Sequence, residues 1–314
     1  MSASEAATGT SATGAVPGTS SPRAFPEFIA LAAIWGASFL FMKVGAAQFG
    51  PLPTAALRVG IATLFLLPLV LLRGQGALLL LHWRALFGIG LINSGIPFVL
   101  FSFALLWIPT SLTAIINATV PMFGALVAWI WFGERLTRAQ SLGLLLGFIG
   151  VALLAFGRSG LSGPAGGTSG ILAVLACALA CVSYGIAANA SKHWLHSVPA
   201  LVSAAGSQIG ATIALTVPAL VLWPATPPDL KAWGALVAVG VLCTGIAYIL
   251  FFRLIARAGA TRALTVTYMI PLFAVAYGVA LLGEQVTWWM VGCGVVIVLG
   301  TALATGRLRL RGLG

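Results

Sequence analysis

The chain carries only five acidic side chains, Glu5, Glu27, Glu134, Asp229 and Glu284. None falls in the middle of an apolar stretch, so no buried carboxylate is available as a general acid or base, as a metal ligand or as a proton relay. Glu134 and Glu284 each follow a glycine, Gly133 or Gly283, and each precedes a threonine, Thr137 or Thr287. An acid beside a membrane helix invites proton coupling. The same order of residues also describes a helix end, a turn and the N-cap of the next helix, and that turn-and-cap reading is the simpler one. The histidines His82, His193 and His196 lie near the edges of apolar stretches with no acid to orient them. Cys177, Cys181, Cys243 and Cys293 lie inside such stretches with no further ligands nearby, which implies neither a disulfide nor a metal site. No catalytic residue, metal or cofactor is expected.

Substrate binding is better supplied. Lys43, Arg58 and Lys192 sit within or at the ends of apolar stretches, where a long basic side chain either snorkels to the headgroups or charges the mouth of a central cavity. Neutral polar residues are embedded more deeply: Ser38, Asn93, Ser94, Asn117, Asn189, Gln208, Thr244, Tyr248, Thr267 and Tyr268, with Trp35 and Tyr184 as a pair of aromatic walls. In lipid these groups need partners, either one another across helices or a bound solute. With no acid among them, a charged cavity would be positive and would favour carboxylate-bearing substrates over cations.

The elements that position these residues are membrane helices. Sixty per cent of the residues are hydrophobic, 7% are charged and mean hydropathy is +1.09, leaving too little polar surface for a water-soluble globule. The apolar runs lack the two-residue alternation of barrel strands and divide into ten spans at about 28–47, 53–72, 85–107, 110–132, 138–157, 170–191, 199–222, 232–256, 261–282 and 287–305.

The second five spans repeat the first at a shift of 150 residues: Gly90 falls on Gly240, Gly95 on Gly245, Pro68 on Pro218, Pro121 on Pro271, and Gly133-Glu134 on Gly283-Glu284. At a shift of 149, Trp35-Gly36 and Lys43 match Tyr184-Gly185 and Lys192. An odd number of spans per half inserts the copies with opposite orientation, as in many carriers that alternate access to one central site. The paired prolines Pro68, Pro121, Pro218 and Pro271 then serve as matched kinks, either static or hinges. The expected organisation is a disordered tail at 1–24, a first repeat at 25–157, a linker at 158–169, a second repeat at 170–306 and a basic tail at 307–314. The glycine rows Gly143, Gly147 and Gly150 and Gly292, Gly294 and Gly300 permit close helix approach within the chain, or a homodimer seam.

With the N-terminus cytoplasmic, the inner loops and tails collect twelve of the sixteen Lys and Arg residues, and the outer loops keep only Arg158 and Lys231. Both termini are therefore expected inside a plasma (inner) membrane. The net charge of +11 follows from this bias and from attraction to anionic lipid rather than from nucleic-acid binding.

Trp35-Gly36-Ala37-Ser38-Phe39 with Lys43, and Pro121 followed by Gly133-Glu134-Arg135-Leu136-Thr137, Gln140, Gly143, Gly147 and Gly150, resemble an EamA-type repeat of the drug/metabolite transporter superfamily. The second copy keeps Pro271, Gly283-Glu284 and Thr287 but has Gln285 in place of the arginine. The resemblance implies ten helices, both ends in the cytoplasm, a cavity between the halves, and transport of small metabolites, often outward. The expected function is an alternating-access exporter or exchanger of small polar metabolites, with amino acids favoured. A carrier of sugars, nucleotides or drug-like compounds and a membrane-embedded transferase are the alternatives.

Overall fold

The computed structural model describes residues 24–156, 168–258, 263 and 265–308. The tail read at 1–24 apart from Ala24, all but the end of the linker, and most of the basic tail lie outside those residues. Every described element is helical: α1 Ala24–Phe49, α2 Pro51–Leu72, α3 Gly76–Leu81, α4 Trp83–Gly90, α5 Ile96–Ala104, α6 Thr110–Asn117, α7 Val120–Phe132, α8 Arg138–Phe156, α9 Thr168–Trp194, α10 Ala200–Val221, α11 Leu230–Gly240, α12 Ala247–Ala258, α13 Val266–Leu282 and α14 Trp288–Ala304. Among the described residues, eight helical stretches are long and apolar enough to cross a membrane, and α13 and α14 are shorter apolar helices of 17 residues each. Helices satisfy their own backbone hydrogen bonds, which lipid cannot do. Large apolar side chains such as Leu64, Trp131, Val217 and Trp288 point outward, as a lipid-facing surface requires.

Two spans differ from simple continuous helices. The third joins α4 to α5 through a π-helical turn, Leu91–Gly95, and the eighth joins α11 to α12 through another, Val241–Ile246. Each inserts extra backbone that a periodicity of 3.6 cannot anticipate. The carbonyls these turns loosen are taken up by side chains, with Ser183 Oγ donating to Ile92 O at 2.6 Å and Thr244 Oγ1 to Val239 O at 2.9 Å. The fourth span breaks at Ala118-Thr119, so Pro121 lies in the first turn of α7 instead of kinking a continuous helix, whereas Pro68, Pro218 and Pro271 do lie inside helices.

Packing places early and late spans side by side. Helix α1 packs on α11 and α13, α2 on α10, α9 on α5 and α7, and α8 on α14. Several contacts recur about 150 residues apart. Gly36 abuts Phe273 and Ala274, and Gly185 abuts Phe123 and Gly124; Gly90 abuts the backbone of Ser207, and Gly240 that of Arg58. Thr63 and Thr212, matched at a shift of 149, are hydrogen-bonded to each other at 3.1 Å. The glycine row of α8 is used within the chain, where Gly143 and Gly147 meet the backbone of α14 at Gly300 and Ala304.

A Cβ at Gly90 would overlap the Ser207 carbonyl oxygen, whereas one at Gly88 would meet nothing within 4 Å. Gly90→Ala is therefore expected to lower the melting temperature of the detergent-purified protein, because backbone on both sides must move, while Gly88→Ala holds or raises it through helix propensity. Equal melting of the two variants would contradict this packing.

Candidate functional site

A cavity of about 240 Å³ opens where α1, α2, α5, α6, α7, α9, α12, α13 and the two π-helical turns meet. Its polar lining consists of Ser38, Arg58, Asn93, Asn117, Tyr184, Thr244, Tyr248 and Thr267. Trp35, Phe39, Met42, Phe98, Phe101, Val120, Cys243 and Ile270 complete the wall. The π-helical turns contribute directly, one presenting Asn93 and the other Cys243 and Thr244. Asn93 Nδ2 lies 3.5 Å from the Tyr248 hydroxyl. Trp35 stacks at a tilt on Phe251, with ring centroids 5.3 Å apart, and Tyr184 lies 6.1 Å from Phe101.

Arg58 is the charged group of this lining. It is only 6% exposed, its Nε donates to Thr244 Oγ1 at 3.1 Å, one Nη donates to the Met42 sulfur, and its guanidinium carbon sits 3.6 Å above the centre of the Phe98 ring. Among the described residues it has no ion-pair partner, and no carboxylate lines the cavity. Thioether sulfur is a weak acceptor and an aromatic face only an electrostatic cushion, so the forked end of the guanidinium keeps its capacity for a bidentate carboxylate. Chemically, the arrangement can bind and orient a small anion.

At the end of the bundle remote from Ala24 and Ala304, three elements are tied together. Lys43 Nζ lies 3.0 Å from Glu284 Oε1. The same carboxylate accepts from Thr110 N at 2.7 Å and Oγ1 at 2.9 Å, and from Ser111 N at 3.1 Å and Oγ at 3.0 Å. Helix α6 begins after Pro109, which supplies no side-chain cap, so Glu284 satisfies its first N–H groups from the loop between α13 and α14. Burial works against ionising Glu284, but the Thr110 N–H and Lys43 outweigh it and hold the carboxyl below its ordinary value. At the opposite end the matched residues are apart: Glu134 and Lys192 are exposed, and neither forms an ion pair among the described residues. Glu27 pairs there with Arg257.

The turn chemistry follows the sequence closely. Gly133 and Gly283 adopt left-handed backbone, with φ of 66° and 63°. Thr287 Oγ1 accepts from Met290 N at 3.2 Å, and Thr137 with Gln140 forms a reciprocal capping box.

The profile of the EamA-like transporter family matches residues 27–156 and again 171–306. The chain belongs to the EamA-like transporter family. Among its relatives are the uncharacterized transporter YoaV of Bacillus subtilis, 25% identical over 82% of this chain and 88% of that protein, and the uncharacterized inner membrane transporter YedA of Escherichia coli K12, 26% identical over 90% of both. A probable terminal-alkyne amino-acid exporter of Streptantibioticus cattleyicolor is 28% identical over 59% of this chain and 61% of its own length. A solved crystal structure superposes with a TM-score of 0.64 at 23% identity, covering 91% of this chain and 97% of the other, and so shares the fold. This member is thus a multi-pass membrane transporter.

Several residues expected in the cavity of this EamA-like chain lie elsewhere. Asn189 is buried against α7 and donates to Gly124 O at 3.0 Å and Gly185 O at 2.9 Å, tying helices together. Gln208 is fully buried and donates to Ser94 Oγ at 2.9 Å. The Tyr268 hydroxyl lies 3.4 Å from Thr305 Oγ1, with the Arg307 guanidinium 5.5 Å from its ring centre, so it belongs to the end that carries the C-terminal residues. Lys43 is occupied by Glu284, and Lys192 is exposed at the end of α9. Arg58, expected at a mouth, lines the cavity itself. The apolar wall was not singled out from the sequence, because Phe39, Met42, Phe98 and Phe101 have the same character as the core residues around them.

Proposed function

We propose that this transporter works by alternating access between two inverted five-helix repeats, ten spans in all, and that it exports or exchanges small carboxylate-bearing metabolites. The observation that carries the substrate class is Arg58: a buried guanidinium in the cavity wall, without a counter-ion among the described residues, calls for an anion to neutralise it. The recurrence of packing contacts 150 residues apart supports the paired halves, and the contact between Thr63 and its own counterpart Thr212 is what a pseudo-two-fold axis at that point would produce. The latch made at one end and unmade at the other supports one of two alternating states. The assignment of twelve of the sixteen basic residues to the inner loops and tails by sequence supports cytoplasmic ends. The amino-acid exporter named among the relatives is consistent with carboxylate-bearing cargo.

The test is counterflow in proteoliposomes preloaded with candidate solutes and challenged with labelled amino acids, small organic acids, sugars and nucleosides. Uptake confined to carboxylates is the expected outcome. Uptake of neutral sugars or of cations, with carboxylates excluded, would overturn the reading.

A further inference from the structure

We infer that the cavity selects by net charge, taking a small monoanion with an apolar body in preference to the same molecule bearing a free ammonium. This rests on the carboxylate reading of Arg58 above and sharpens it. A zwitterion needs two complementary partners, and the chain has committed its described acids elsewhere. Glu27 holds Arg257, Asp229 caps α11 by accepting from Ala232 N, Glu284 is enclosed by Lys43, Thr110 and Ser111, and Glu134 is exposed at the far end of α7. None lines the cavity.

A bound monoanion would bring Arg58 and its surroundings to zero net charge. A bound zwitterion would leave one positive charge in a low-dielectric site a few ångströms from a guanidinium, where like charges repel strongly. The amide oxygens of Asn93 and Asn117 can accept from an ammonium, but they bring no formal charge to offset it. They suit a neutral second group such as an amide, a hydroxyl or a keto oxygen. Phe39, Phe98, Phe101 and Trp35 supply the apolar wall for the rest of the molecule.

The experiment uses purified full-length protein and four probes that share one phenyl ring: 3-phenylpropionate, N-acetylphenylalanine, phenylalanine and phenethylamine. Binding is read from calorimetry and, independently, from Trp fluorescence, since Trp35 lies in the wall. Both monoanions are expected to bind at least about tenfold more tightly than phenylalanine, with phenethylamine weaker still, because like-charge juxtaposition costs several kcal/mol. Arg58→Gln is expected to abolish that order, and Arg58→Lys, which keeps the charge, to preserve it in weaker form. If phenylalanine binds as tightly as the monoanions and loses binding in Arg58→Gln, the carboxylate reading stands and the charge rule falls. If the probes bind equally to wild type and Arg58→Gln, both fall. Failure of both monoanions to bind at millimolar concentration also overturns the charge rule.

Discussion

Replacing Arg58 by Gln is expected to reduce counterflow of a carboxylate substrate by about thirtyfold or more, since removing one partner of a buried charge pair typically costs about 2–5 kcal/mol. The native guanidinium is held in place before any substrate arrives: Nε is bonded to Thr244 Oγ1, and the plane rests on Phe98. Thr244, in the π-helical turn, is itself anchored by donating to Val239 O near the end of α11, so the arginine's position depends on that local distortion of the eighth span. Arg58→Lys keeps a charge but loses the fork, the bond from Nε and the stacking, and should fall between wild type and Gln. The loss should appear mainly in apparent affinity for the acid, with monodisperse protein and unchanged melting as the folding control. Flux within a few fold of wild type in Arg58→Gln would remove the basis for the carboxylate assignment.

The sequence made the architecture legible because membrane helices announce themselves by length and apolarity, and because the repeat pairs turns that would be ambiguous singly. The glycine–acid–threonine turns are an example: Gly133 and Gly283 need left-handed backbone, Thr137 and Thr287 cap, and residue type alone determines both. The site was legible only in part. Ser38, Asn93, Asn117 and Thr244 line the cavity whereas Asn189 and Gln208 are spent on Gly124, Gly185 and Ser94, yet all are polar residues in apolar helices. Which helix face looks at the cavity is set by tertiary packing and by the π-helical turns, each of which rotates the residues beyond it. Of the two readings open for Arg58, snorkelling and facing the cavity, its burial in the cavity wall favours the second. It lies seven residues into α2, about 10 Å along the helix, and its side chain is buried against Thr244, Met42 and Phe98. Glu284 shows the remaining limit, for its role as cap of α6 depends on Thr110 and Ser111, which lie 174 and 173 residues away in the chain.

Breaking the latch should make the cavity reachable from the end that carries Lys43. Cys243 lines the cavity and is nearly inaccessible, so it serves as a native reporter for an impermeant thiol reagent added to intact cells, with site-resolved mass spectrometry as the readout. Glu284→Gln is expected to speed labelling more than Lys43→Met does. The carboxylate accepts four hydrogen bonds from the start of α6 besides its contact with lysine, and bonds to a charged group contribute about 1.5–3 kcal/mol each. The lysine side chain is 31% exposed, and its ion pair is correspondingly screened. Exchanging the charges, Lys43→Glu with Glu284→Lys, distinguishes an ion pair from a cap. A simple pair would be restored, but lysine cannot accept from Thr110 and Ser111, so the exchange should behave like Glu284→Gln. The pH dependence has a definite sign. A carboxyl held below its ordinary value contributes stability that is complete above that value and is lost only as pH falls through the depressed one. Labelling of Cys243 in the wild type, corrected for thiolate reactivity, should therefore stay level between about pH 6 and 8. A steep rise across that interval, or restoration by the charge exchange, would show that Glu284 does not hold this end of the bundle in the way its contacts indicate.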